Sequence, residues 1–337
     1  MAYKRPSLEE LIACSHVVSL PLKTRFRGLA HRETVIFEGS DGTGEWAAFG
    51  EYVDEESSWW LAAAIEQMSY QLTSSDLTPV SINAIVPAMH IAEIEGWLSP
   101  FRGCTAAKIK VAEKGETLND DLARVREIRR VLGSDIAIRL DANGAWTPQQ
   151  AKDAADALEQ FDVDYLEQPV STLEQMSELR NLLGSSPIRL AADETVRKSH
   201  QIGRIREAGC EVVIVKPSPL GGFTHTMALA REAHENGLQV VVSSGLESSV
   251  GLTHAASVAS TVDRLTGVPT AHGIGTAALL GRDVVKKPLV PQTGYVHPSS
   301  LELDRSAVSG LRVSAEREEW WRARLERCYP LALEKLS

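Results

Sequence analysis

No two of the four cysteines stand near each other: Cys14, Cys104, Cys210 and Cys328 are scattered over 337 residues without a CxxC pair. That excludes a zinc ribbon and a thioredoxin-like redox site, and free thiols fit a reducing, cytoplasmic compartment. Also missing is any apolar run of about 20 residues, the length a membrane-spanning helix needs. The opening MAYKRPSLEELIACS carries acids where a secretion signal needs an apolar stretch, so export is not expected. Positive charge is in deficit, with 35 Lys and Arg against 45 Asp and Glu and a formal net charge of -10. An acidic chain gains nothing from a polyanion, which argues against nucleic acid or an anionic membrane as partner and for a small-molecule protein.

What is present is an ordinary globular composition, 43% hydrophobic and 24% charged. The length suits an α/β barrel plus one smaller domain. Short strand-like runs at Val17 to Leu22, Glu33 to Glu38 and Trp46 to Glu51, with SDGTGE as a turn, precede an amphipathic segment from Ser57 to Leu72. We read residues 1–79 as an α+β capping domain, completed by a helix-rich basic tail from about 289 to 337 that packs back on it, and residues 80–288 as the barrel.

From about Val80 apolar runs alternate with charged helical stretches, the signature of βα units around a parallel sheet. Eight such runs occur: SINAIV (81–86), AAKIKV (106–111), IAIRLD (136–141), VDYLE (163–167), IRLAAD (188–193), VVIVK (212–216), QVVVS (239–243) and VPTAH (268–272). Eight parallel strands predict a closed barrel of the TIM type. Strand side chains alternate between the helix-covered face and the interior, so parity sorts them. Ile109 and Val111 face the helices, which turns Lys108 and Lys110 inward; the same parity turns Asp141, Glu167, Asp193 and Lys216 inward. The three acids and Lys216 are each the last residue before a loop, at the C-terminal mouth where barrel enzymes keep their active sites.

The spacing supports one ring: Asp141, Glu167 and Asp193 follow each other at intervals of 26 residues, and Lys216 comes 23 later. A single strand-end acid is usually a helix N-cap or a solvated loop residue. Three in register are another matter, because carboxylates at about 4 Å repel by roughly 4 kcal/mol at an effective dielectric near 20. Such a ring calls for a cation, and all-oxygen ligands favour Mg²⁺, with Mn²⁺ possible, over zinc. Desolvation in the mouth is expected to lower the pKa of the inward lysines and make one of them a base.

AKIKV with its two lysines, RLDANGAW, LEQP, AADE and VKPSPLGG, in this order and on these strands, resemble the enolase superfamily and within it the muconate-lactonizing-enzyme-like subgroup. The likeness covers nearly the whole chain. It implies a modified TIM (β/α) barrel with an α+β N-terminal capping domain. It also implies Asp141, Glu167 and Asp193 as Mg²⁺ ligands, Lys110 of the KxK motif as base, Lys108 as its modulator, and Lys216 as a fixed cation or second base on the opposite face. The implied substrate is a small carboxylate whose α-proton is removed, and the implied assembly is a monomer with no obligate protein partner. SSGLESSVG and the loop LKTRFRG are most similar to a branch that dehydrates a succinyl hydroxycyclohexadiene carboxylate. The second carboxylate of such a substrate needs donors, for which Ser243, Ser244 and Gly245 are candidates, with Arg25 and Arg27 adding positive charge and Asn143 a further polar contact or a loop-shaping residue.

Other readings fit less well. A histidine on strand seven marks mandelate-racemase-like members, and QVVVSS has none; a DxD on strand eight marks dipeptide epimerases, and TAHGIG has none. Lactonizing and N-acylamino-acid-racemising members share the metal ring and both lysine positions. A Schiff base on Lys216, as in barrel aldolases, conflicts with three acids beside it. A metal-binding barrel without activity is the non-enzymatic alternative.

Overall fold

The computed structural model describes residues 5–26, 28–69 and 78–336. The N-terminal unit holds α1 (Leu8–Ala13), the antiparallel strands β1 (Ser15–Phe26), β2 (Leu29–Glu38) and β3 (Thr43–Trp46), and α2 (Asp54–Ser69). The third strand lies upstream of the Trp46–Glu51 run expected to form it. Gly39 and Gly42 close a tight turn, so pairing with β2 begins at Thr43 and ends at Trp46, after which the chain leaves the sheet. The helix starts at Asp54, three residues before the expected Ser57, with Asp54, Glu55 and Glu56 placed favourably in its first turn. The expected end of that segment lies outside the described residues.

Beyond it, β4 (Val80–Ser81) leads into a seven-stranded parallel sheet. Its strands, neighbours in chain order, are β5 (Ala84–Val86), β6 (Ala106–Lys110), β7 (Ala137–Asp141), β8 (Val163–Glu167), β9 (Arg189–Ala192), β10 (Val212–Val215) and β11 (Gln239–Val242). Helices α3 (Ile94–Trp97), α4 (Leu118–Leu132), α5 (Pro148–Leu158), α6 (Leu173–Leu183), α7 (Glu194–Ser199), α8 (Ile202–Glu207), α9 (Phe223–Glu235) and α10 (Ser249–Thr266) alternate with these strands. Then β12 (Tyr295–Val296) pairs with β4, and α11 (Arg305–Gly310) and α12 (Ala315–Lys335) end the chain. Thr117, Thr147 and Thr172 each accept a backbone N–H at the start of α4, α5 and α6, which fixes where these helices leave their loops.

The expected eighth strand does not form. Pro269 within VPTAH has no N–H to give to a ladder. The two sheet edges are joined through single bridges instead, Ile82 to His272 and Ser243 to Gly273. His272 substitutes a side chain for a strand bond: its Nδ1 accepts the Val242 N–H at 2.9 Å, and its Nε2 meets Asp263 Oδ1 at 3.1 Å. An accepting Nδ1 fixes the proton on Nε2, so this buried histidine is a structural joint.

Parity along the strands holds. Ile109, Ile138, Leu140, Leu166, Leu190, Val213 and Val215 belong to the core between sheet and helices, whereas Tyr165, Ala191, Val212, Ile214 and Val241 form a separate cluster inside the sheet's curl. Arg139 lies over the Tyr165 ring at 5.1 Å and donates to Ala271 O. The mouth above is left to the charged strand ends.

α12 packs on the N-terminal unit, with Trp321, Leu325, Cys328 and Ala332 in one cluster with Leu11, Phe37, Trp46 and Ile65. Two barrel helices receive caps from that unit. Glu45 of β3 accepts from the Ser248 and Gly251 N–H groups, each at 2.9 Å, at the start of α10. Glu66 of α2 accepts from the Phe223 and Thr224 N–H groups at the start of α9, whose own N-cap residue, Gly222, has no side chain to offer. A Cβ at Gly222 would overlap the Glu66 carboxylate, so the glycine is what lets the carboxylate approach. Glu66→Ala is therefore expected to cost about 0.5–2 kcal/mol, the range for losing an N-terminal helix cap. Urea unfolding measures this, and an unchanged midpoint would show that the cap carries no load.

Candidate active site

The register of the sheet sets the site. Lys110 pairs with Asp141 and Asp141 with Glu167, so these three stand at one height, while Glu167 pairs with Ala191 and leaves Asp193 two residues further toward the mouth. All six inward residues inferred from parity meet there. Lys108 Nζ lies 2.8 Å from Glu167 Oε1 and 3.2 Å from Asp141 Oδ2. Lys110 Nζ lies 2.5 Å from Asp141 Oδ2 and 2.5 Å from Asn143 Oδ1, and Lys216 Nζ lies 2.5 Å from Asp193 Oδ2. A fourth acid, Glu194, joins them through a 3.1 Å bond from Asn143 Nδ2 to its Oε1. Sequence reasoning quoted it within AADE but gave it no part; a second acid beside a strand-end acid was the available signal.

The charge balance corrects one expectation. Two of the lysines, Lys108 and Lys216, are held charged by the acids packed against them. Burial would lower the pKa of Lys108, but Glu167, Asp141 and Asp193 outweigh it and hold the ammonium well above its usual range. Burial acts likewise on Lys216 and is outweighed by Asp193, Glu194 and Glu167 together. Among the acids, burial would raise Asp141, yet Lys110 and Lys108 keep it below the usual carboxylate range. Glu167 goes the other way: burial and then the Asp141 charge push it up to about 8.

Two oxygens of this cluster, Glu167 Oε2 and Glu194 Oε2, are buried with no hydrogen-bond partner. Orphaned anionic oxygens are costly, and a hard divalent cation satisfies them with the donor type it prefers. Among the described residues no three acidic, His or Cys side chains converge tightly enough to hold a metal as they stand. Lys108 bridges Asp141 and Glu167, so metal entry requires the lysine ammonium groups to yield their carboxylate contacts. The residues present fit such an ion by chemistry and by their position on adjacent strands.

The cleft above the charges is narrow, with about 50 Å³ of cavity space, so a small organic acid enters only as the side chains around it draw back. Ile85, Leu246, Phe26 and Phe49 give it apolar walls, and Ser243, Ser244, Gly245 and Thr276 line another side. Ser244 Oγ is 2.8 Å from Thr276 Oγ1 and donates to Gly273 O, as Ser243 Oγ does. The Gly245 N–H donates to Glu247 Oε2 at 2.7 Å and is already engaged. A Cβ at Gly245 would strike the Trp60 ring, so close packing accounts for this glycine. Arg25 is exposed on the hairpin formed by β1 and β2 and does not line the cleft, whereas the neighbouring Phe26 does, its ring centroid 5.8 Å from Lys110 Nζ. Arg27 lies outside the described residues. Phe26, Phe49 and Thr276 escaped sequence reasoning because no periodic pattern connects them with the strand ends.

Residues 99–302 match the enolase C-terminal domain-like family and residues 17–68 the enolase N-terminal domain-like family. The o-succinylbenzoate synthase of Mycobacterium marinum is 37% identical over 327 residues, 96% of each chain. That of Mycobacterium leprae is 36% identical over 328 residues, 97% of this chain and 94% of its own. Muconate lactonizing enzyme from Pseudomonas fluorescens, solved with muconolactone, superposes with a TM-score of 0.75 at 20% identity over 89% of this chain and 98% of its own, a likeness of fold alone. With both parts of the chain matched in order and relatives aligned over nearly its full length, the chain belongs to the enolase superfamily.

Proposed function

We propose that the chain catalyses the o-succinylbenzoate synthase reaction: Mg²⁺-dependent loss of water from 2-succinyl-6-hydroxy-2,4-cyclohexadiene-1-carboxylate, giving 2-succinylbenzoate for menaquinone synthesis. The observation that carries it is the 37% identity over 96% of the chain to a relative of that name. Superfamily membership implies a divalent metal, which Asp141, Glu167 and Asp193 would hold; Mg²⁺ is our choice because hard oxygen ligands favour it. When bound, the metal supplies the positive charge that a carboxylate needs as its α-proton leaves.

The chain's own residues do the rest. Lys110 takes the ring proton next to the carboxylate onto Nζ as the C–H bond breaks. The same nitrogen then gives the proton to the departing hydroxyl as the C–O bond breaks, so that water leaves and the ring becomes aromatic. To act so, Lys110 must enter the cycle neutral, which requires that Asp141 no longer be its ion-pair partner. Lys108, two residues before the base on the same strand, and Lys216, at the end of the strand after Asp193, remain as cations at the mouth once their carboxylate contacts have passed to the metal. Phe26, Phe49, Ile85 and Leu246 exclude water from the ring, and the Ser243, Ser244 and Thr276 hydroxyls are suited to the succinyl carboxylate. Arg25, exposed and outside the cleft lining, has no part in this arrangement.

Lactonizing and racemising members of the superfamily share the same lysines and acids. A direct comparison separates them: purified protein with Mg²⁺ should turn over the cyclohexadiene acid at least about tenfold faster, by kcat/KM, than it racemises N-acylamino acids or lactonises muconate. The reverse order would overturn the assignment.

A further inference from the structure

Asn143 sits at the mouth in the left-handed region, with φ 46°, which asparagine adopts more readily than other non-glycine residues. Every polar group it turns toward the site is engaged within the protein. Its backbone N–H donates to Asp141 Oδ1 at 3.2 Å, its Nδ2 donates to Glu194 Oε1 at 3.1 Å, and its Oδ1 accepts from Lys110 Nζ at 2.5 Å. A primary amide has one accepting and one donating end, so what lies on one side decides what faces the other. Glu194 Oε1 is the acceptor in its bond with Asn143. It claims the NH₂ group and thereby turns the carbonyl oxygen toward Lys110.

Glu194 is the first residue of α7, directly after Asp193, and its side chain lines the same cleft with Oε2 unpartnered. Lysine ends a flexible four-carbon stem, and a reacting nitrogen misplaced by about 1 Å costs on the order of 10²-fold in rate. We propose that Glu194 and Asn143 are positioning residues that hold the Lys110 amine in line with the substrate proton, Glu194 acting only through Asn143. Asn143 is thereby assigned to the base, and the substrate contact considered for it from sequence is set aside. The inference rests on Lys110 being the base of the proposed reaction.

The experiment uses the Mg²⁺-loaded enzyme and four variants. Asn143→Gly keeps the left-handed backbone and removes the amide; Glu194→Ala removes the anchor; Glu194→Gln keeps an oxygen able to accept from Asn143; the double variant Asn143→Gly, Glu194→Ala tests whether the two act in series. Expected are falls in kcat of about tenfold or more for Asn143→Gly and Glu194→Ala, with KM for substrate and the affinity for Mg²⁺ within about twofold. Most of the activity should return in Glu194→Gln, and the double variant should be no slower than Asn143→Gly alone. Four results would overturn the proposal. They are multiplying effects in the double variant, a loss of Mg²⁺ affinity in Glu194→Gln (a fourth metal ligand), a change in substrate KM alone in Asn143→Gly (a substrate contact), and no effect at all. Lys110→Ala, run beside them, separates the two levels. If it stays active, the reading of the base fails; if it is dead while Asn143→Gly is unaffected, only the positioning role fails.

Discussion

Lys110→Ala is expected to lower kcat for dehydration by about 10²–10⁴-fold, the range associated with losing a general base. Its substrate KM should stay nearly unchanged, since a proton acceptor acts in the transition state. The charge balance provides a control. Removing one ammonium from a cluster of four carboxylates and three lysines leaves the acids more negative, so Mg²⁺ should bind the variant as tightly as the parent or more tightly. Loss of activity then cannot be traced to loss of metal. Stopped-flow turnover together with Mg²⁺ titration decides the matter, and near-normal kcat in a folded, Mg²⁺-replete variant would remove Lys110 from the mechanism.

Glu167→Gln should have two opposed effects. Without metal, Glu167 is buried, has an unpartnered oxygen and is pushed up to about 8 from 4.5 by burial and by Asp141. Between those values the unfolded chain gives up the proton while the folded chain keeps it, so stability falls as pH rises. At about 1.4 kcal/mol per unit, and allowing for its neighbours, the burden is on the order of 2–5 kcal/mol above pH 8. In EDTA the glutamine variant should therefore be the more stable protein at pH 8.5, with the gap closing toward pH 4.5. With saturating Mg²⁺ the order should reverse, because only the parent gains the full stabilisation of a bound ion. Urea titrations at three pH values, with and without Mg²⁺, measure both. Parallel pH curves for the two proteins would contradict the buried strain, and equal stabilisation by Mg²⁺ would contradict a ligand role for Glu167.

Much of the site could be read from sequence because a strand has period two: once Ile109, Leu140, Leu166 and Leu190 are assigned to the helices, the lysines and acids have only the interior left to face. What escaped depends on contacts between distant segments. Phe26 and Phe49 reach the cleft from the N-terminal unit, and Glu45 and Glu66 cap barrel helices about 200 and 160 residues away in sequence, relations that no local pattern encodes. The eighth strand failed for a local reason, Pro269, and His272 replaced it with a side-chain bond that depends on Val242 lying opposite. Burial alone predicts depressed lysine pKa values, and for Lys108 and Lys216 the carboxylates packed around the ammonium groups turn the balance against it. Arg25 was attractive for its charge alone, and the hairpin that carries it turns it to solvent and Phe26 to the cleft.

The central claim is metal-dependent dehydration by this mouth of charged strand ends. The most direct test follows the absorbance of 2-succinyl-6-hydroxy-2,4-cyclohexadiene-1-carboxylate with the purified chain, first in EDTA and then after Mg²⁺ is restored in excess. The account predicts no enzymatic loss of substrate in EDTA and rapid conversion to 2-succinylbenzoate once Mg²⁺ returns. Conversion at the same rate in EDTA, or none after Mg²⁺ is restored to a folded protein, would contradict it.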